Sequence, residues 1–364
     1  MKISCKRENL AKALSVVSRM VKSRATLPVL SNIYLASEGG QMKIVATDLE
    51  AAVTTWVGAK IDEEGAVTLP ARTLVEYVSS NNDDTISLEG KNSDMLVKSQ
   101  HYKATIKGIP AEEFPIISNV SSDKSLKIGA AVLKEAIFSV APSSALDDTR
   151  PVLAGVMFRA KGGILKIVAT DSYRLAEFTI ELKSGNDFEA IVPSRCVAEL
   201  GRILPQDDTE VEIAYAQGQV QFTFGDIRFM SRQIEGAFPD YEQIIPKGFV
   251  YEFTADKDDV LQAVKMANIF ARESGNNIKM KTGDNQVEIS AMSAQVGDQT
   301  GSLAVVSKGG TLEAAFNARY IMDGIAAIES EDIFFGLAGA LEAALLRPVG
   351  KEGFRYIVMP LRNE

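Results

Sequence analysis

The side chains that most often perform chemistry are sparse in this chain. His101 is the single histidine, set in Lys98-Ser99-Gln100-His101-Tyr102-Lys103. Motifs in which two histidines hold a metal therefore cannot be built, and a Ser-His-Asp nucleophile would rest on this one residue. Its polar surroundings read as a surface or strand histidine. Cys5 and Cys196 lie far apart, without the spacing of a metal site or a disulfide framework, and read as small buried apolar residues. Acid pairs at Glu63-Glu64, Asp83-Asp84, Asp147-Asp148, Asp207-Asp208 and Asp258-Asp259 could in principle gather magnesium. They flank turns and helix starts, where solvent and the helix dipole already favour carboxylates, so no metal site is expected. Gly39-Gly40 and Gly162-Gly163 precede strands and do not lead from strand into helix, which is the wrong order for a phosphate loop. Neither a catalytic residue nor a cofactor is expected.

What remains is charge and how it is placed. The net charge of −9 argues against a nucleic-acid partner only if it is evenly spread. Residues 6 to 24 carry six basic residues against one acid, Glu8. Leu10, Leu14 and Val17 fix an apolar helix face there, opposite Lys12, Arg19 and Lys22. Arg72, Arg195 and Arg319 each open a further apolar-periodic helix, and Arg24 and Arg150 precede two Pro-Val-Leu segments read as strands. Lys134, Arg202, Lys265 and Arg272 add charge to other helices. Any one run could be an ordinary solvated face. Together, with like helices on one side, they would attract phosphates without reading a base. The set expected to face such a backbone is Lys12, Arg19, Lys22, Arg24, Arg72, Arg150, Arg195, Arg202, Lys265 and Arg319. No segment resembles a recognition helix, a zinc finger or an aromatic stacking platform, so readout of base sequence is not expected.

The elements that position these residues recur. Shifted by 123 residues, Thr26-Leu27-Pro28-Val29-Leu30 falls on Thr149-Arg150-Pro151-Val152-Leu153, and Lys43-Ile44-Val45-Ala46-Thr47-Asp48 on an identical run at residues 166 to 171. Residues 26 to 53 hold 12 identities in 28 positions, where chance supplies about two. Pro70-Ala71-Arg72, Pro193-Ser194-Arg195 and Asn317-Ala318-Arg319 mark the same point in three copies, and Phe114-Pro115 matches Phe238-Pro239. Helical stripes open each copy: Leu10, Leu14, Val17 and Val21 within residues 7 to 22, then Leu133, Ile137 and Val140, then Leu261, Val264 and Asn268. Alternating runs bounded by Gly, Asn and Asp, such as Val220 to Phe224 before Gly225-Asp226, read as strands. The expected fold class is α+β: three tandem domains at 1–120, 121–248 and 249–364, each with two helices and antiparallel sheets. No apolar run approaches the roughly 20 residues of a membrane helix, and the N-terminus shows no secretory pattern, so a cytoplasmic protein with no membrane partner is expected.

Thr170-Asp171-Ser172-Tyr173-Arg174-Leu175-Ala176, Phe238-Pro239-Asp240-Tyr241 and Tyr356-Ile357-Val358-Met359-Pro360-Leu361-Arg362 together resemble the bacterial β sliding clamp, the processivity subunit of DNA polymerase III. The resemblance runs the length of the chain. It implies DNA-clamp domains that form a ring as a head-to-tail homodimer around duplex DNA, with helices lining the hole and no catalysis of its own. Implied partners are the polymerase III catalytic subunit, the clamp loader and other proteins that dock short clamp-binding peptides. The implied peptide pocket comprises Leu153, Thr170, Ser172, Tyr173, Arg174, Leu175, Pro239, Ile244, Asn317, Tyr320, Leu341, Ile357, Val358, Met359, Pro360, Leu361 and Arg362. For the dimer contact the family pattern implies Ile106 facing Ile269 and Phe270. Ser172-Tyr173 stands where clamps often carry Gly-His, Gln243 where a basic residue is common, and Gly275 near a position often aromatic. After Thr47-Asp48 the first copy continues Leu49-Glu50-Ala51, so Ser172-Tyr173-Arg174 is particular to the second.

Three functions stay open on the residues alone. A clamp would use both the basic helices and the pocket. A repeat-built scaffold that binds peptides and never encircles DNA would use the pocket and leave the basic helices without a task. An enzyme lacks the groups to work with.

Overall fold

The structure is a computed structural model of the chain, and it describes all residues except 23–26, 92, 118, 121–124, 148, 184, 217 and 363–364, and the side chain of residue 91. Arg24 lies outside the described residues.

Among the described residues there are six α-helices: α1 (Arg7–Val17), α2 (Ala71–Ser80), α3 (Ala130–Val140), α4 (Ser194–Ile203), α5 (Lys257–Ala271) and α6 (Ala318–Ala326). They fall two to each repeat. Leu10, Leu14 and Val17 of α1 and Leu133, Ile137 and Val140 of α3 are fully buried, as their periodicity predicts. α5 differs from expectation. Its buried stripe is Val260, Val264, Ala267, Asn268 and Ala271, with Leu261 only half-buried, so the apolar face is rotated toward small residues. Asp256 caps α5, accepting from the Asp259 amide at 3.0 Å, and Asn317 caps α6, accepting from the Arg319 amide at 2.9 Å. α1 ends at Val17 and passes into a 3-10 turn, Ser18–Met20, short of the expected residue 22. The Pro-Val-Leu segments are likewise 3-10 turns, Pro28–Ser31 and Pro151–Ala154, that lead into strands. Proline at the first helical position supplies no amide that a strand ladder would need.

The chain packs as two compact units: Met1–Ala131, Ser184–Asn186 and Glu199–Gln233 form one, and Val132–Lys183, Asp187–Ala198 and Ile234–Glu364 the other. The first contains a five-stranded and an eight-stranded antiparallel sheet. In the larger one, Ile227–Arg232 pairs with Ala51–Gly58, so strands of the second repeat continue a sheet of the first. The second unit contains a nine-stranded and a four-stranded sheet, and here Arg174–Glu181 pairs with Phe354–Val358 to continue the second repeat into the third. The middle repeat is therefore divided, because each of its sheets is completed by a neighbour. Gly39-Gly40 and Gly162-Gly163 sit in matching hairpins with φ of 59° and 77°, and 59° and 80°. That pair of positive angles is the type I′ turn that joins two twisted strands and that glycine adopts without strain.

Candidate functional site

The turn after Thr170 is built by its own side chains. Thr170 Oγ1 donates to the Arg174 carbonyl at 2.6 Å and accepts from the Ser172 amide at 3.2 Å, while Asp171 Oδ1 accepts from the Tyr173 and Arg174 amides, both at 2.9 Å. The first repeat makes the same turn: Thr47 Oγ1 donates to Ala51 at 2.7 Å, and Asp48 Oδ1 accepts from Glu50 and Ala51. Ser172 and Leu49, at the same point, have φ of 78° and 74°, a left-handed conformation that suits glycine better than any side chain. The shared Thr-Asp pair is thus a backbone device.

The side chain of Arg174 is what the second copy adds. It is buried, donating from Nε to Asp171 Oδ2 at 3.0 Å, from Nη2 to the Pro142 carbonyl at 2.8 Å and from Nη1 to Asp323 Oδ2 on α6. Its guanidinium carbon lies 4.6 Å from the centre of the Tyr320 ring, which stacks in turn on Tyr173 at 6.4 Å. Burial opposes the charge on Arg174, and Tyr356, Asp323 and Asp171 more than offset that, so its proton is held more tightly than on a free arginine. In the first copy the same Asp48 Oδ2 position pairs instead with Lys22 at 2.9 Å, since Ala51 replaces the arginine.

The C-terminal segment closes one side. The Met359 amide donates to the Tyr173 carbonyl at 2.8 Å and the Leu361 amide to Ala315 at 2.7 Å. Beneath lies an apolar cluster of Met157, Val168, Leu175, Ile191, Phe238, Tyr241, Ala343, Leu345 and Ile357, with Met359, Val152, Ile234, Ile245, Phe249 and Phe334 packed against it. The lip is open: Tyr173, Ile244 and Leu341 are 60%, 44% and 64% exposed. Ser172, Pro239 and Arg362 are also exposed, and Asn317, Tyr320, Met359, Pro360 and Leu361 are half-buried. Of the expected lining, Leu153, Thr170, Leu175, Ile357 and Val358 are buried, and Leu175 and Ile357 belong to the apolar cluster. Val358 pairs with Arg174 and so shares its face of the sheet, opposite to the face of the paired Leu175 and Ile357.

Arg150, expected to face a phosphate backbone, donates from Nη1 to Ser172 Oγ at 3.2 Å at the rim of this groove. Asp323 and Pro142 were not anticipated from the sequence, for they meet Arg174 only through folding and no local pattern marks them. Two cavities, of about 620 and 460 Å³, lie away from this groove: one against Arg159, Lys166 and Glu189, the other between α1 and Trp56. A groove with an apolar floor, exposed aromatic lip and one oriented cation has the composition of a peptide anchor and holds no group able to start a reaction.

Three family models of the DNA polymerase III beta subunit match in order: the N-terminal domain at 1–118, the central domain at 127–240 and the C-terminal domain at 242–362. The beta sliding clamp of Pseudomonas aeruginosa is 31% identical over 366 residues, covering 100% of both chains. This chain belongs to the DNA polymerase III beta subunit family. The beta sliding clamp of Staphylococcus aureus is 28% identical over 375 residues, again with 100% of both chains covered. The solved Pseudomonas aeruginosa clamp bound to griselimycin superposes with a TM-score of 0.95 at 30% identity and complete coverage of both. The Streptococcus pyogenes beta subunit does so at 0.96 and 24% identity, a likeness of fold. The family is the processivity subunit of a polymerase and not a catalytic enzyme, and it has three clamp domains.

The clamp's expected basic residues are all exposed among those described. In the first unit Lys12 pairs with Glu8 at 2.9 Å, Arg72 with Glu76 at 2.9 Å, and Arg19 and Arg202 both approach Glu199. In the second unit Arg195 and Arg319 open α4 and α6, and Lys265 stands on the solvent side of α5. Exposed pairs of this kind are worth about 0 to 1 kcal/mol, so a phosphate can displace the carboxylate at little cost.

For the clamp's dimer contact, Ile106 ends the edge strand Lys103–Ile106 and is only 5% exposed within one chain. It pairs with Met95, and strand alternation puts Lys103 and Thr105 on the opposite, exposed face. Ile269 is 48% exposed and Phe270 half-buried. Met292, near the end of Gln286–Ser293, and Val296, in the turn that follows, are 77% and 54% exposed.

His101 completes the account of chemistry. Its Nδ1 lies 2.6 Å from Asp83 Oδ1, and Ser99 Oγ donates to Asp83 Oδ2 at 2.6 Å. The carboxylate stands between serine and histidine, so the imidazole does not reach the hydroxyl and the order of a Ser-His-Asp triad is absent. Ser99, then the His101 amide and ring, hold Asp83 down to about 2. Cys5 and Cys196 are buried and form no disulfide, and burial raises the Cys5 thiol to about 11.

Proposed function

We propose that two copies of this chain close head to tail into a ring on duplex DNA and tether the replicative polymerase, with domain limits near 1–120, 121–248 and 249–364. The observation that carries this is the full-length, three-domain match to the beta sliding clamps. The exposed arginines that open α2, α4 and α6 supply a phosphate-attracting surface at the same point of every repeat. The groove around Arg174, Tyr173, Tyr320 and Met359 is the docking site for short peptides of the polymerase catalytic subunit, the clamp loader and other partners. Arg150 belongs with that groove. Ile269, Phe270, Met292 and Val296 form the α5 side of the dimer contact. The protein acts in the cytoplasm; no helix among the described residues is long and apolar enough to cross a membrane.

Retention on DNA tests the ring. Loaded onto a nicked circle by its clamp loader, the protein stays bound through gel filtration and is lost once the circle is linearised. Equal retention on circle and line refutes encirclement.

A further inference from the structure

The wall of the groove that carries Pro239 and Ile244 contains little regular structure of its own. Beyond the 3-10 turn Glu242–Ile244, residues 238 to 245 form no strand or helix that could hold them by backbone pairing. A carboxylate buried on the sheet is bonded to this segment. Glu177, in the middle of Arg174–Glu181, is 1% exposed. The Tyr241 hydroxyl donates to Glu177 Oε2 at 2.5 Å, Arg355 Nη2 lies 2.5 Å from Oε1, and Thr179 Oγ1 donates to the same oxygen at 3.2 Å. Lys166 Nζ approaches Glu177 at 3.8 Å and bonds Glu242 at 2.7 Å, so the segment is tied at two successive residues.

The tie is coupled to the groove's floor. The Tyr241 ring sits in the same apolar cluster as Leu175, Ile357 and Met359, edge-on to Phe238 at 6.2 Å. A carboxylate so buried is costly unless every oxygen is satisfied, and its retention beneath an otherwise apolar cluster calls for a task.

We propose that Glu177 is the positioning residue of the peptide groove: through the Tyr241 hydroxyl it fixes the wall that bears Pro239 and Ile244 at the spacing a docked peptide requires. This rests on the groove being a peptide site. Glu177 touches no ligand itself. It acts by removing, before binding, the freedom of a segment that would otherwise have to be ordered by the peptide.

The test uses the full-length dimer and a fluorescent peptide chosen as the tightest binder among overlapping segments of the polymerase III catalytic subunit from the same organism. Tyr241→Phe keeps the ring in the cluster and removes only the bond to Glu177. A bond to a charged acceptor is commonly worth enough to change an equilibrium about tenfold. The expected result is about tenfold weaker binding, mostly through faster dissociation. Amide exchange should quicken most in residues 238 to 245, with sedimentation unchanged and the melting temperature lowered by no more than a few degrees. Adding Glu177→Gln to Tyr241→Phe should cost little more peptide affinity, because Glu177 reaches that wall through the Tyr241 hydroxyl; the loss of its ion pair with Arg355 is read separately, in the melting temperature. Wild-type affinity in Tyr241→Phe overturns the proposal, as does weakening accompanied by faster exchange across the whole chain, which would make the network a general stabiliser. If Tyr241→Phe fails to fold, the exposed Glu242→Gln releases the second tie; about threefold weaker binding supports the proposal, and unchanged binding overturns it. Failure of the wild type to bind any segment, or binding that survives Met359→Asp, overturns the peptide-site reading itself and the positioning role with it.

Discussion

Removing the Arg174 side chain should loosen the junction between the second and third repeats more than any other change in the groove. In Arg174→Ala three hydrogen bonds disappear at once, to Asp171, Asp323 and the Pro142 carbonyl, together with the contact on Tyr320. Breaking a buried ion pair by deleting one partner commonly costs about 3 to 5 kcal/mol, because the other charge is left unpaired. Here Asp323 is 47% exposed and can take water, while Asp171, at 13%, keeps its two backbone amides. The lower end, about 3 kcal/mol, is therefore expected, and this corresponds to roughly a hundredfold change in an equilibrium. Native-state amide exchange on the full chain reads it directly: protection should fall about a hundredfold in Arg174–Glu181 and α6, and stay level in the five-stranded sheet of the first unit. Arg174→Lys retains the charge without the planar fork and should lose about half as much in free energy. A loss under threefold, or one spread evenly through both units, would refute the assignment of Arg174 as the local tie.

Three further outcomes follow from other sites. Ser172 has φ of 78°, so Ser172→Gly should leave stability equal or raise it by about 0.5 kcal/mol, whereas Ser172→Val should lower it by about 1 to 2 kcal/mol; paired thermal melts decide, and a tolerated valine would count against the strained turn. Asp83 is held down to about 2 by Ser99 and His101, below its ordinary value of about 3.9. Its contribution is therefore present above pH 4 and lost as pH falls from about 4 toward 2, so Asp83→Asn should be less stable at pH 7 and show a shallower acid dependence in that window. Identical acid profiles would contradict this. Phe270→Ala, combined with Met292→Ser, should shift the dimer toward monomer in sedimentation at low protein concentration by about tenfold or more in dissociation constant, while a comparable change at Ile106 should lower melting temperature first, since that side chain is buried within one chain.

Much of this protein is legible in its sequence because it is written more than once. The identical Lys-Ile-Val-Ala-Thr-Asp runs, the arginines that open α2, α4 and α6, and the stripes of α1 and α3 depend on period and local chemistry, which neighbours in the chain decide among themselves. Asp48 and Asp171 could be recognised as turn caps for the same reason: their partners lie two and three residues away. Tertiary structure decided the rest. That Pro-Val-Leu starts with a 3-10 turn and that α5 buries Asn268 in place of Leu261 both reflect which face a neighbouring element covers. The division of the middle repeat arises because its edge strands find partners in both neighbours, a pairing that no local pattern specifies. The groove shows the limit most plainly. Its residues could be named in advance by their resemblance to a family, but Arg150, Asp323 and Glu177 enter only when strands far apart in sequence are laid side by side.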